Sequence, residues 1–106
     1  MNDKILQASK KVELEIEEKF SSSSSRNRTV ARSCLKLCKE WASLKQSALG
    51  DFSKSQAKKS CKKYVMENLQ EEVKGGFFVS LLFSVVIKLI IEWIIERYIT
   101  SLFKNI

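Results

Sequence analysis

"FFVSLLFSVVIKLIIEWIIERYITSLF", residues 77–103, holds nineteen apolar or aromatic residues among twenty-seven. As a single α-helix it would be about 40 Å long, at 1.5 Å per residue. The segment nevertheless carries Lys88, Glu92, Glu96 and Arg97. The way these charges are accommodated determines whether the segment crosses a membrane, lies on one, or forms the core of a protein assembly.

The rest of the sequence predicts an all-α fold. Proline is absent and only three glycines occur in 106 residues, and these two residue types are the main breakers of helices. Residues 27–49 and 54–73 repeat apolar positions at the helical period. Residues 12–17, "VELEIE", alternate strictly, which suits a half-buried strand or an amphipathic helix. Their Glu and Lys content and the lack of a second strand favour the helix.

Composition divides the chain into four segments. We predict an N-terminal amphipathic arm over residues 1–20, a serine-rich linker or capped helix entry over 21–26, a basic helical body over 27–74 and a long hydrophobic helix over 77–104. The expected fold has about four helices. Because the last helix would overhang its neighbours, we expect its apolar surface to be covered by oligomerisation or by lipid.

The basic body is the strongest charge feature. Residues 26–63 hold eleven Lys or Arg against two acids, within a chain of net charge +7. Such a block predicts attraction to phosphate on nucleic acid or anionic lipid, although a solvated helix surface has the same composition. The candidate contact residues are Arg26, Arg28, Arg32, Lys58, Lys59, Lys62 and Lys63.

Polar residues recur every four positions through the last helix, from Ser80 to Lys104. Such residues are neighbours along a helix, so Lys88 can pair with Glu92 and reduce the cost of burying both. Inserting residues 77–95 into a bilayer gains roughly 4–8 kcal/mol from apolar side chains and loses about 3 at Lys88. Insertion is therefore marginal for a lone helix. The predicted oligomerisation or membrane residues are Ser80, Ser84, Lys88, Glu92, Trp93, Glu96 and Tyr98.

Three placements of this helix remain open: an oligomeric membrane span, the buried core of a soluble assembly, and a helix lying in the membrane interface. If it spans, the lysines that precede it predict a cytoplasmic amino-terminal body. Trp93 and Tyr98 would then lie toward the far interface. The amino terminus, "MNDKILQASKK", has no hydrophobic region of the kind found in a cleavable signal peptide.

The remaining residues do not indicate catalysis or a cofactor. There is no histidine, and the sequence contains no phosphate-binding glycine loop and no nucleophile with a recognisable base. Cys34, Cys38 and Cys61 lack the spacing of a zinc site, so we interpret them as buried, reduced thiols. A small-molecule substrate is not expected.

Two functional hypotheses follow. The first is a non-enzymatic, self-associating structural protein with a membrane-seeking C-terminal helix, such as a small phage-type virion, membrane-delivery or pore component. The second is a soluble capsid- or nucleoprotein-like subunit, whose apolar helix is buried between copies and whose basic block contacts the nucleic-acid backbone. The expected partners are other copies or helical subunits, with a membrane or nucleic acid. The expected location is a membrane or the interior of a virion-like assembly.

Overall fold

A computed structural model of the protein describes residues 2–72 and 85–104. Four α-helices lie in these ranges: α1 (Asn2–Lys19), α2 (Ser25–Leu44), α3 (Lys54–Glu72) and α4 (Val85–Phe103), with a 3-10 helix at Gln46–Asp51 between α2 and α3. No strand occurs in the described residues, so the all-α prediction is confirmed. The alternating segment 12–17 is part of α1.

Serine side chains shape the connections between helices. Ser24 caps α2, its hydroxyl accepting a hydrogen bond from the Asn27 amide at 3.2 Å. Ser53 and Gln56 cap each other's backbone amides at the start of α3, at 3.1 and 3.0 Å. The Arg28 guanidinium donates to the Ser23 carbonyl at 2.7 Å. The serine tract is therefore a hydrogen-bonded turn with a capped helix entry, the second of the two alternatives that the sequence allowed.

The helices form an antiparallel bundle of about 37 × 26 × 19 Å. Each of α1 and α3 contacts both α2 and α4, while α2 and α4 pack on each other across the centre. Ion pairs show the antiparallel arrangement of α3 and α4, because Lys58 meets Glu96 and Lys62 meets Glu92. Within the predicted N-terminal segment, α1 packs against α2 and α4 as one wall of the bundle.

The core is made by apolar faces of all four helices. From α1 it takes Ile5, Ala8, Val12 and Ile16, all buried, with Phe20 just beyond the helix end. From α4 it takes seven aliphatic side chains, each at most 4 % exposed: Ile87, Ile90, Ile91, Ile94, Ile95, Ile99 and Leu102. Burying one such side chain contributes about 1.5–3 kcal/mol. α1 and α4 are therefore essential to the stability of the fold.

The structure changes the prediction for the last helix. α4 has 19 residues as described, and residues 77–84 of the expected longer helix lie outside the described ranges. The helices α1, α2 and α3 of the same chain cover the aliphatic side chains that were expected to need another copy or lipid. Within residues 2–72 and 85–104, no helix has both the length and the apolar character needed to cross a bilayer.

Tyr98 is the largest polar side chain in the core contributed by α4. It is fully buried, and its hydroxyl has no hydrogen-bond partner among the described residues. Burial raises the pKa of its hydroxyl well above the usual value, with smaller contributions from the neighbouring Cys38 and Cys61 thiols. The sequence placed Tyr98 toward a membrane interface only if the helix spans a bilayer; in the structure the side chain lies in the protein interior.

We predict that Tyr98→Phe leaves the free energy of unfolding unchanged or raises it by up to about 1 kcal/mol, because the variant removes a buried hydroxyl without a partner. Tyr64→Phe is the matched control, since the Tyr64 hydroxyl donates to the Glu40 carboxylate at 3.1 Å. That variant should lose about 0.5–1.5 kcal/mol. Urea unfolding followed by circular dichroism measures both, and a clear loss of stability in Tyr98→Phe would contradict the prediction.

Candidate functional surface

The acidic residues of α4 pair with lysines of α3. The Lys58 ammonium lies 2.7 Å from one carboxylate oxygen of Glu96, and Lys54 lies 3.9 Å from the other. Lys62 pairs with Glu92. The hydrogen bond from Lys58, followed by one from the Thr100 hydroxyl at 2.8 Å, holds the pKa of Glu96 below its ordinary value. These contacts fix the antiparallel packing of α3 against α4.

Lys88 is placed differently from the sequence expectation. It is exposed, and none of the ion pairs among the described residues includes it. Glu92, its expected partner one turn along the same helix, is paired with Lys62 across the α3–α4 boundary. Ser80 and Ser84, predicted with Lys88 to line the oligomer contact, lie outside the described ranges.

The predicted phosphate-binding residues do not share one surface. Lys58 and Lys62 are held by α4 carboxylates, while Arg32 lies 2.5 Å from Glu17 at the boundary of α1 and α2. These two boundaries are on opposite sides of the bundle. The Arg28 guanidinium is hydrogen-bonded to the Ser23 carbonyl in the serine turn. Three of the predicted residues are exposed and join no ion pair among the described residues: Arg26, Lys59 and Lys63.

The first turns of α4 carry an exposed apolar patch. Val85, Val86 and Leu89 are 70 %, 52 % and 63 % exposed, although the aliphatic side chains of the same helix are buried from Ile90 onward. We call these three residues the α4 patch. The sequence does not distinguish this patch, because an exposed valine and a buried isoleucine look alike within one continuous apolar run.

Trp93 lies on the same helix, one turn after the α4 patch, at the boundary with α1. The Lys19 ammonium is 5.2 Å and the Arg97 guanidinium 5.3 Å from the centre of its ring, both within the range of cation–π attraction. Phe20 meets the ring edge to face at 5.8 Å. An open groove of about 410 Å³ runs beside the ring, lined by Glu15, Glu18, Lys19, Trp93 and Arg97.

Two further leucines, on other faces of the bundle, are as exposed as the α4 patch. Leu14 of α1 is 71 % exposed and borders a cleft of about 370 Å³ between α1 and α2. Leu44 of α2 is 68 % exposed and borders a second open groove, between α2 and α3. Both lie on helices other than α4, so they serve as comparison sites for the α4 patch.

The three cysteines lie together in the core as free thiols. Hydrogen bonding to the Cys34 thiol, then to that of Cys61, together with burial, raises the pKa of Cys38 well above its ordinary value. No group of three or more possible ligands in the described part of the chain could hold a metal ion. Since thiolates are the reactive form of cysteine, this environment favours inert thiols.

We predict that the cysteines of the native protein react with Ellman's reagent much more slowly than an exposed thiol, and that all three react once denaturant unfolds the bundle. Ser43→Cys, at an exposed position on α2, supplies the control thiol, which should react at once. Rapid labelling of the unmodified native chain would show that the thiol cluster is accessible and would contradict the buried assignment.

A second prediction concerns Lys58 and Glu96. A double-mutant cycle with Lys58→Ala and Glu96→Ala should give a coupling energy of about 0.2–1 kcal/mol at pH 7 and low salt, because both side chains are partly exposed. The pKa of Glu96 is lowered in the folded state, so this stabilisation is present above the ordinary carboxyl pKa of 4.5. It should be lost as the pH falls through the lower folded value.

Lys59→Ala is the matched control for that cycle, because Lys59 is exposed one position away and joins no ion pair among the described residues. It should show no coupling to Glu96→Ala. A coupling energy that is absent at pH 7, or that persists below the folded pKa of Glu96, would contradict the assigned ion pair.

Comparison with known proteins identifies no relative of this chain. No protein-family model matches the chain, and no curated protein or solved structure matches it either. The function must therefore be inferred from the surface of the bundle.

Proposed function

We propose that this chain is a non-enzymatic helical bundle that attaches peripherally to a phospholipid membrane, through the end of the bundle at which α4 begins. The observation that carries the proposal is the α4 patch, three apolar side chains exposed in the first five residues of a helix whose other aliphatic side chains are buried. Exposed apolar groups clustered in this way are typical of surfaces that bind membranes or other proteins.

The charge distribution supports a membrane as the partner. The chain has a net charge of +7, which attracts it to the anionic lipids of a bilayer surface. Lys88 is exposed between Val86 and Leu89 of the α4 patch. Its long aliphatic stem can lie along the apolar side chains while its ammonium group reaches the headgroups.

The packing of α4 makes peripheral attachment a better hypothesis than a span. The aliphatic side chains of α4 from Ile90 to Leu102 fill the centre of its own bundle, so they are already covered. The α4 patch is small, and burying each of its side chains contributes about 1 kcal/mol. Weak, reversible binding that combines apolar burial with electrostatic attraction is expected from such a site.

Nucleic-acid backbone binding is the second candidate. Lys59 and Lys63 are exposed one helical turn apart on α3 and join no ion pair among the described residues. Two lysines can contact phosphates, but they provide no base recognition and only a small salt dependence, with a slope of about 0.9 per phosphate contact on duplex DNA. The α4 patch has no part in this alternative.

Vesicle sedimentation tests the proposal. The wild-type chain should pellet with vesicles of mixed anionic and zwitterionic phospholipid. The triple variant Val85→Gln, Val86→Gln and Leu89→Gln should bind at least about tenfold more weakly, because the apolar contribution is lost while the charge is kept. Leu14→Gln with Leu44→Gln is the matched control, since these leucines are equally exposed on other helices. It should leave binding unchanged.

The other hypotheses give different results in the same series. An equal loss in both variants, or no binding by the wild type, would contradict attachment through the α4 patch. If the patch instead joins two copies, analytical ultracentrifugation without lipid will show a dimer that the triple variant abolishes. If Lys59 and Lys63 bind nucleic acid, changing both to Gln will weaken DNA binding while vesicle binding is retained.

A further inference from the structure

The groove beside Trp93 lies next to the α4 patch but differs from it, because the patch is apolar and the groove is lined mainly by charged side chains. It combines an indole ring, two cations and two carboxylates from α1 and α4. Trp93 is only partly buried, whereas Trp41, the other tryptophan, is 1 % exposed in the core. Half-exposed tryptophan beside basic residues is typical of the headgroup level of a membrane, where amphipathic rings are favoured.

The distances along α4 place this groove at the right depth for a headgroup. At 1.5 Å per residue, Leu89 is about 6 Å and Val85 about 12 Å from Trp93 along the helix axis. Amphipathic elements that lie at a membrane surface bury their apolar side chains by about 5–10 Å. With the α4 patch at that depth on a tilted helix, the Trp93 ring and its groove lie among the headgroups.

The charges in the groove indicate which headgroup chemistry fits. Lys19 and Arg97 are balanced by Glu15 and Glu18, so the groove as a whole is neutral and offers both signs within a short distance. Arg97 and Glu15 are only at the outer limit of an ion pair, at 4.0 Å. The cation–π contacts hold both cations beside the ring, which reduces the entropy lost when they bind a ligand.

We propose that the α1–α4 groove binds the zwitterionic headgroup of a phospholipid, with the phosphate against Lys19 and Arg97 and the ammonium group against Glu15 and Glu18. This inference rests on the proposed membrane attachment and adds a lipid selectivity to it. A purely anionic headgroup would satisfy the two cations and leave the two carboxylates facing its negative charge.

The test uses vesicles with a fixed fraction of anionic lipid, in which the remainder is phosphatidylethanolamine, phosphatidylcholine or an uncharged galactolipid. The wild-type chain should bind the zwitterionic mixtures about two- to fivefold more tightly than the galactolipid mixture, the range expected for one exposed ion pair. Tighter binding to the ethanolamine lipid than to the choline lipid would show that the ammonium donates hydrogen bonds to the carboxylates; equal binding would show charge recognition alone.

Two variants connect that preference to the groove. The double variant Glu15→Gln with Glu18→Gln should abolish the preference for zwitterionic over galactolipid vesicles. The double variant Lys59→Gln with Lys63→Gln, on the exposed surface of α3, should keep that preference. Binding should also shift the tryptophan emission to shorter wavelength, and this shift should vanish in Trp93→Phe because Trp41 is already buried.

The outcomes separate this inference from the proposed function. If the chain pellets with all three mixtures equally, or if its emission does not change on binding, the attachment stands and the headgroup site is wrong. If it pellets with none of them, the proposed function itself fails. A preference that survives in Glu15→Gln with Glu18→Gln would also overturn the site, because the selectivity would then arise elsewhere.

Discussion

The burial of α4 between the other helices is the constraint on which the rest of the structure depends. Its isoleucines occupy the centre of the bundle, in contact with α1, α2 and α3. A bundle of this size buries only about two thirds of the surface that its unfolded chain exposes, so every apolar helix face matters. α1 is needed to close the side of α4 that α2 and α3 leave open, and the tight serine turn brings α1 into that position.

The uneven charge of the sequence follows largely from this packing. In the second half of α1, Glu17 meets Arg32 of α2 and Glu15 lies near Arg97 of α4. The acids of α4 meet lysines of α3. Each exposed pair contributes little to stability, but pairs of opposite sign at the helix boundaries disfavour other registers and orientations. Several residues of the basic block therefore already have a partner within the chain. Fewer of them are available to bind phosphates than the net charge indicates.

The features that depend on neighbours along the chain were predictable. The apolar rhythm predicted helices over residues 27–49 and 54–73, the regions in which α2 and α3 lie. The partner of Glu92 was not predictable in this way. The sequence pointed to Lys88, four positions away on the same helix. Lys62 pairs with Glu92 instead, because antiparallel packing brings α3 alongside α4. The candidate groove at Trp93 joins α1 to α4, which are far apart in sequence, so no local pattern could have indicated it.

Under the proposed membrane attachment, the same packing explains why a helix this apolar should remain in the bundle. Lipid tails are about as apolar as a leucine-rich core, so moving Ile90 or Ile94 from protein to lipid gains little free energy. The move would also expose the apolar faces of α1, α2 and α3, which α4 covers. That exposure costs about 25 cal/mol for each Å² of apolar surface returned to water. Val85, Val86 and Leu89 are in the opposite situation, since they face solvent already and lose no protein contact when lipid covers them. Attachment by the end of an intact bundle is therefore favoured over extraction of the helix.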